Sequence, residues 1–240
     1  QTTSALSGGR YILAKTNLET STLSSKLTKK QRFNNLDLKS KLGIDFFNSA
    51  YRAIGNDWNQ DKYHNIASQN IIEPFGIFEF NHSSNEKIDY EIGFRYHYYE
   101  LDTDNYTTKT SLSSDDRQNY AWSLGANYNL QNGQKLFTHV SRAYRSPRLD
   151  EIISLIKPSP SHTHIKHQYS NDIELGYEVN VERKRYKASI FRTLIKNQIY
   201  LNQTTLNNEN FDPSIHQGLE IEFDQSINDK LNLKSNATFI

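Results

Sequence analysis

Apolar side chains recur at every second position along several stretches of the chain. Within residues 87–101 the even positions from 88 to 98 carry apolar or aromatic side chains, and the odd positions carry mostly polar or small ones. The same alternation returns in 119–130 and 172–181, with weaker copies in 36–46 and 219–227. A repeat of two residues is typical of a β-strand with one apolar and one polar face, whereas a helix repeats about every 3.6 residues. The pattern therefore predicts an all-β protein.

The run at 87–101 is longer than a strand of a soluble protein usually is. Its apolar positions are consecutive even numbers: Ile88, Tyr90, Ile92, Phe94, Tyr96 and Tyr98. A soluble strand has roughly five or six residues, while a tilted strand that crosses a membrane needs about 9 to 11. The length of this run favours a transmembrane β-strand.

The connections between the apolar runs alternate between short and long. The short ones are predicted at 27–34, 81–87, 131–134, 182–184 and 228–230, and the long ones at about 48–70, 102–118, 146–168 and 202–214. Asn132-Gly133 predicts a type I′ turn, which needs positive φ at both central residues. Outer-membrane barrels have this alternation, because their periplasmic turns are tight and their outside loops extended.

About ten antiparallel up-and-down strands follow from this pattern. We predict them near 10–25, 35–47, 71–81, 87–101, 118–130, 135–146, 169–181, 185–200, 215–227 and 231–240. Pro74 lies within the third strand and favours an edge or irregular position there, because proline donates no backbone hydrogen bond.

Composition limits the class of protein further. The mean hydropathy of -0.78 resembles that of a soluble protein, but a barrel exposes only every second residue to lipid and has a similar average. No apolar segment approaches the roughly 20 residues of a membrane-spanning helix. The net charge of +1 gives no indication of a nucleic-acid partner, and the absence of cysteine excludes disulfides and thiolate metal sites.

Several segments of the chain carry motifs of a known family. They are IGFRYHYYE (92–100), LFTHVSRAYRSPRLDEI (136–152), NDIELGYE (171–178), ASIFRTLIKNQIYL (188–201) and QGLEIEFDQSINDKLNLKSNATF (217–239). The first contains a G-x-R-Y strand, and the second contains an aromatic-Arg-small-Pro motif followed by an acidic pair. In this order and spacing they resemble the β-barrel of TonB-dependent outer-membrane receptors.

The resemblance implies an antiparallel up-and-down transmembrane β-barrel in a bacterial outer membrane. Such receptors are not enzymes. They take up an iron-siderophore, haem or a related metal complex, and the TonB protein energises this transport through a plug domain. The expected partners are TonB, outer-membrane lipid and a metal-complex ligand. An iron complex or haem would be cargo, so no resident cofactor is expected.

Residues 1–240 are expected to form only part of such a barrel. Family barrels have about 22 strands and a plug inside the lumen, and neither a plug nor a barrel-ending strand is recognisable here. The chain contains no methionine and stops within an alternating run. We therefore expect a piece of the barrel domain that is inactive alone, since unpaired strand edges cost several kcal/mol per backbone group in lipid.

Three histidines form the most specific ligand candidate. His162, His164 and His167 lie in the sequence SHTHIKH, within the long connection 146–168. Imidazole binds transition metals and haem iron, and the resemblance implies an iron-ligating histidine in this loop of haem receptors. The usual N-P-x-L-x-P-E segment of the family is replaced here by residues 163–170. The alternative interpretation is a group of solvated loop histidines.

Two further groups of polar residues have both a structural and a ligand-binding interpretation. Tyr144, Arg145 and Pro147 form the aromatic-Arg-Ser-Pro motif, which either ends a strand or places Arg145 against a ligand carboxylate. The second group shares the polar face of two strands and is predicted to line the lumen against the plug. It consists of Arg95, His97, Asp172 and Glu174.

Two other classes of protein also remain compatible with the sequence. A ten-stranded outer-membrane enzyme of the protease type would fit the predicted strand number and would use loop Asp and His residues. A soluble β-sandwich binding module would bury the Tyr and Phe rings between two sheets. The carboxylate pairs at 102/104, 115–116 and 150–151 are expected to be solvated, and no G-x-S-x-G or H-E-x-x-H motif occurs.

Overall fold

Antiparallel strands make up most of the protein. The structure is a computed structural model that describes residues 2–7, 10–56, 62–82, 87–105, 110–152, 165–204 and 207–240. The elements are β1 (Thr2–Ser7), β2 (Arg10–Phe33), β3 (Leu36–Asn56), β4 (Lys62–His82), β5 (Ile88–Asn105), β6 (Thr110–Asn129), β7 (Gln134–Arg145), α1 (Leu149–Ile152), β8 (Gln168–Val181), β9 (Lys184–Lys196), β10 (Ile199–Asn202), β11 (Asn207–Asn210), β12 (Ser214–Asn228) and β13 (Leu231–Phe239).

The strands form one sheet of 11 strands in the order β1-β2-β3-β4-β5-β6-β7-β8-β9-β12-β13. Each strand pairs antiparallel with its neighbour in the chain, and the two-stranded β10–β11 hairpin is inserted between β9 and β12. Among the described residues β1 and β13 do not pair with each other, so the sheet is open. The predicted antiparallel up-and-down fold is confirmed.

Tight turns join the strands at one end of the sheet. Asn132 and Gly133 both have positive φ, 59° and 69°, as a type I′ turn requires. Asn34 and Glu182 also have positive φ, 50° and 47°. The turn predicted at 27–34 is shorter than expected: β2 continues to Phe33 and β3 begins at Leu36, because polar residues continue the backbone ladder without apolar side chains.

Two of the long connections at the other end are mostly strand, contrary to the sequence interpretation. β3 and β4 continue through nearly all of 48–70, and β5 and β6 occupy most of 102–118. The connection at 202–214 contains part of the β10–β11 hairpin, and α1 lies within 146–168. Polarity misled the prediction, because ladder hydrogen bonds depend on the backbone and are compatible with polar side chains on both faces.

Pro74 lies in an interior strand, so the prediction of an edge strand is wrong. The alternative prediction, an irregular point in the strand ladder, is confirmed. β4 pairs with β3 throughout. Its ladder with β5 runs from Ile72↔Tyr98 directly to Phe75↔Arg95, omitting Glu73 and Pro74 without a change of register. Proline has no N–H to donate at this point, and the interruption is confined to Glu73 and Pro74.

The two faces of the sheet differ in polarity. Large apolar side chains such as Leu124, Ile173 and Ile190 are 48%, 52% and 57% exposed on one side, which we call the apolar face. The opposite side, the polar face, carries charged residues in register and, at the end with the long connections, a small core. The core consists of Tyr51, Ala53, Ala67, Tyr99, Leu101, Leu149 and Ile152.

Helical structure is minor. In the part of the chain that the structure describes, no helix combines the length and apolar character needed to cross a bilayer.

Candidate functional site

The short helix α1 is fixed on the polar face of the sheet. Pro147 follows the end of β7, where it stops the ladder, and the chain then turns so that Leu149 and Ile152 are 3% and 5% exposed. They contact β3 and β4 and belong to the same core cluster as Tyr99 and Leu101 of β5. Burial of a leucine or isoleucine contributes about 1.5 to 3 kcal/mol each, so this contact holds the segment after β7 in place.

A second contact fixes the same helix by charge. Arg145 donates from Nη1 to both carboxylate oxygens of Glu151, at 3.0 and 2.8 Å. Glu151 also accepts from the backbone N–H of Arg148 at 2.9 Å. The Arg145 guanidinium therefore binds a carboxylate of the protein itself. This contact accords with a structural role for the aromatic-Arg-Ser-Pro motif.

Glu73 is the centre of a polar network below α1. Its Oε2 accepts from Arg95 Nη1 at 2.6 Å, and its Oε1 accepts from the Tyr144 hydroxyl at 2.9 Å and lies 2.7 Å from His97 Nδ1. The same Arg95 Nη1 also donates to Asp45 Oδ2 at 2.7 Å. Two carboxylates thus share one guanidinium, and the Glu73 side chain is 13% exposed. Charge-assisted contacts of this kind are stronger than neutral ones.

His97 connects this network to the loop. The residue is 1% exposed, and its Nε2 lies 2.7 Å from Ser146 Oγ, which in turn lies 3.3 Å from His167 Nδ1. The centre of the His97 ring is 4.8 Å from that of the Tyr144 ring and 6.0 Å from that of the Tyr99 ring. The contacts form one continuous chain from the wall of the sheet to the segment that precedes β8.

We call Asp45, Glu73, Arg95, His97, Tyr144, Ser146 and His167 the wall-to-loop network. It brings together four residues that the sequence indicated, namely Arg95, His97, Tyr144 and His167. It leaves Asp172 and Glu174 apart: Asp172 accepts from the Thr193 and Ser170 hydroxyls, and Glu174 pairs with Lys187 at 3.2 Å.

The histidine cluster is only partly described. His162 and His164 lie outside the described residues. The His167 ring is 5.5 Å from that of Tyr99 and 5.8 Å from that of His97. Among the described residues, no group of three or more His, Asp or Glu side chains is arranged to hold a metal ion.

The sequence interpretation missed Asp45, Glu73 and Ser146. Glu73 shares odd-position parity with Arg95 and His97, but its partners are 22 and 24 residues away. Only the register of β4 against β5 identifies them as neighbours. The one sequence signal for this site is Pro74. A proline interrupts the backbone ladder, and side chains beside the interruption can make hydrogen bonds to the next strand in its place.

Charge pairs continue along the polar face toward the tight turns. Lys39 donates to Glu79 at 2.8 Å, and Arg185 lies 3.2 Å from both Glu178 and Glu222. Lys187 bridges Glu174 and Glu222. A sheet with one face of exposed apolar residues and one of paired charges fits a wall between lipid and water.

A family comparison decides between the classes left open by the sequence. The model described as "TonB dependent receptor-like, beta-barrel" matches residues 2–240. The chain belongs to this family. The predicted TonB-dependent receptor family and the outer-membrane location are thereby confirmed, and the family is one of transporters rather than enzymes. No curated protein sequence matches the chain significantly.

Solved structures of TonB-dependent receptors share the fold. The ferric citrate transporter FecA, in its unliganded form, is 12% identical with a TM-score of 0.75, covering 93% of this chain and 34% of that one. The siderophore receptor PiuA from Acinetobacter baumannii is 15% identical with a TM-score of 0.72, covering 96% and 39%. The ferripyoverdine receptor of Pseudomonas aeruginosa, bound to ferripyoverdine, is 12% identical with a TM-score of 0.73, covering 95% and 33%. At these identities the likeness shows the fold, and the chain spans about a third of the length of the solved structures that it matches.

Proposed function

We propose that this chain is part of the wall of a receptor that takes up an iron-siderophore or a related metal complex across the outer membrane. The observation that carries the proposal is the family match over residues 2–240. Structures of the same fold include proteins described as a ferric citrate transporter, a siderophore receptor and a ferripyoverdine receptor. The transport needs no bond chemistry, so the proposed role of the chain is to bind and to gate.

The wall-to-loop network supports a gating role. It links β3, β4 and β5 to the segment after β7 through Glu73, His97 and Ser146. We propose that the segment after β7, held on the polar face by these contacts, narrows the passage at this end. We propose that a plug domain, acted on by TonB from the periplasm, completes the passage and supplies the energy for release.

The order Ser146, His97, Glu73 is also that of a hydrolase relay, in which serine, histidine and a carboxylate are joined by hydrogen bonds. Here the Ser146 hydroxyl lies between two imidazoles, and the Glu73 carboxylate is shared with Arg95 and Tyr144. The Ser146 hydroxyl is engaged by both imidazoles, and the family is one of transporters. We therefore interpret these three residues as a structural link between the sheet and the segment after β7, and not as a catalytic triad.

Transport by the intact receptor tests the proposal. The parent protein is expressed in an outer-membrane host that lacks its own iron receptors, and uptake of radioactive iron is measured with a panel of ferric siderophores, ferric citrate and hemin. Uptake of at least one complex is expected, and it should disappear when TonB is deleted. Absence of uptake for every complex, or uptake that persists without TonB, would contradict the proposal.

The histidines indicate hemin as one specific cargo to test. Because His167 is engaged in the wall-to-loop network, we propose His162 and His164, the other two histidines of the sequence SHTHIKH, as the ligand contacts. The double variant His162→Ala/His164→Ala should weaken hemin binding about tenfold, the loss expected for one coordinating contact of about 1.4 kcal/mol. Unchanged hemin affinity would show that these histidines do not bind hemin. The uptake experiment would still test whether the protein is a receptor for metal complexes.

A further inference from the structure

A groove interrupts the apolar face near the tight-turn end of β4 to β7. Across this face Phe80, Tyr90, Ala126, Thr138 and Leu175 lie side by side in register. The two middle positions carry small side chains, while their neighbours on both sides are bulky. The depression has a volume of about 440 Å³.

Bulky side chains also border the groove along the strands. Ile92, Leu124 and Val140 form the neighbouring row on one side, and Leu124 is 48% exposed. Tyr128 and Leu136, which are 40% and 44% exposed, form the row on the side of the turns. The groove is therefore a gap of about two side chains within an otherwise continuous apolar layer.

The floor of the groove is apolar although it contains a threonine. The Thr138 hydroxyl donates to the backbone oxygen of Glu174 at 3.0 Å. Its hydrogen bond is satisfied within the sheet, so the methyl group is left to line the groove beside Ala126. A lining of this kind fits a hydrocarbon chain and offers no partner to water.

A positive charge lies at the end of the groove nearest the turns. Lys87 directly precedes β5, and its Nζ is 5.9 Å from the centre of the Tyr128 ring. Tyr90 follows three residues later, about 10 Å along the strand. Among the described residues the Lys87 ammonium contacts this ring rather than a carboxylate. Lysine beside tyrosine is the arrangement that meets anionic headgroups at a membrane surface.

We infer that this groove binds one glycerophospholipid, with an acyl chain between Tyr90 and Leu124 and the phosphate at Lys87. The apolar face lies in the outer membrane, so the occupant is a lipid rather than a soluble partner. The groove lies near the tight-turn end, which is the periplasmic end of such barrels, where the leaflet consists of glycerophospholipids. The inference depends on the outer-membrane location and is independent of the transported cargo.

Lipid retention by the intact receptor tests the site. The receptor is reconstituted in nanodiscs of phosphatidylcholine and phosphatidylglycerol at 3:1, released in mild detergent, and its retained lipids are counted by native mass spectrometry. Wild type should retain one phosphatidylglycerol that Ala126→Trp loses, because the indole fills the groove. Lys87→Gln should reduce the preference for phosphatidylglycerol about fivefold, the effect of one basic residue near anionic lipid.

A matched control distinguishes the groove from the general apolar face. Ala188 is also exposed on this face, one row nearer the turns, between Tyr177 and Ile221. Ala188→Trp should retain the lipid as wild type does. Retention by Ala126→Trp, loss by both tryptophan variants, or an unchanged preference in Lys87→Gln would each overturn the inference. Lys87 precedes β5 and its substitution changes only the side chain, so its variant keeps the test valid if a tryptophan variant misfolds.

Discussion

Glu73 determines the arrangement of the wall-to-loop network, because this one carboxylate of β4 satisfies three donors from two other strands, β5 and β7. Arg95, His97 and Tyr144 all converge on it within 2.9 Å. A carboxylate that is only 13% exposed is stable as an anion only when its partners surround it. Removal of the charge would therefore affect every strand that it connects.

The variant Glu73→Gln should lower the free energy of unfolding of the receptor by about 2 to 3 kcal/mol, the value of hydrogen bonds to a charged group. Tryptophan fluorescence during guanidinium unfolding of the detergent-solubilised receptor measures the change. Glu220→Gln is the control, since Glu220 also lies on the polar face but makes no ion pair among the described residues. Equal stability of the two variants would show that Glu73 is not the centre of the network.

At the scale of the element, aromatic rings on the polar face cover glycines of the adjacent strand. A Cβ added to Gly176 would lie 2.2 Å from Cζ of Phe137, and one added to Gly43 would lie 2.5 Å from Cζ of Phe75. Cations cover the rings: Lys187 is 5.1 Å from Phe137, and Arg95 is 4.7 Å from Phe75. Each aromatic residue is thereby accommodated on a charged face, between a glycine and a cation.

Gly176→Ala should destabilise the receptor by about 1 to 3 kcal/mol, the usual range for overpacking. The new methyl group would displace the Phe137 ring and also meet Ser189 Cβ at 2.8 Å. Gly125→Ala is the matched control on the same face, because its nearest atoms are 3.7 and 3.9 Å away. Guanidinium unfolding compares the two, and an equal effect would exclude the proposed close packing.

The docking of α1 is a separate element with its own test. Arg145→Ala removes the contact with both Glu151 oxygens and should make the docking of α1 on the sheet less favourable by about 1.4 kcal/mol. Protease cleavage within 146–152 on whole cells should then increase about tenfold, because the undocked state is populated about ten times more often. Arg148→Ala is the control, because its side chain is 69% exposed and the nearest approach of its guanidinium to Glu151 is 3.7 Å, while its backbone contact with Glu151 is unchanged by the substitution. Similar cleavage of the two variants would contradict the role of Arg145.

Prediction from sequence succeeded for elements whose apolar pattern is complete. The strand at 87–101 and the turn at Asn132-Gly133 were predicted from local signals alone, since alternation and positive φ are properties of neighbouring residues. The outer halves of β3 and β6 were missed because their polar residues carry no alternation. The wall-to-loop network was missed in part because Glu73 and His97 come together only through strand register.

At the scale of the whole molecule, the open sheet leaves β1 and β13 with unpaired edges among the described residues. An open edge in lipid exposes backbone groups that cost several kcal/mol each. Residues 1–240 expressed alone should therefore give no heat-modifiable band on a detergent gel, whereas the intact receptor should give one. A heat-modifiable monomer of residues 1–240 would show that the sheet can close on itself.

The length of β3 and β4 has a consequence at the cell surface. Each strand has 21 residues, which is about 70 Å of chain and about 50 Å of height at a tilt of about 45°, against a hydrocarbon core of about 30 Å. An antibody or a phage would thus attach to a hydrogen-bonded ribbon that projects from the cell. Single substitutions on that ribbon change its epitope at little cost, but an inserted residue reverses the facing of every side chain beyond it. Escape from immune or phage attack should therefore proceed here by substitution rather than by changes in length.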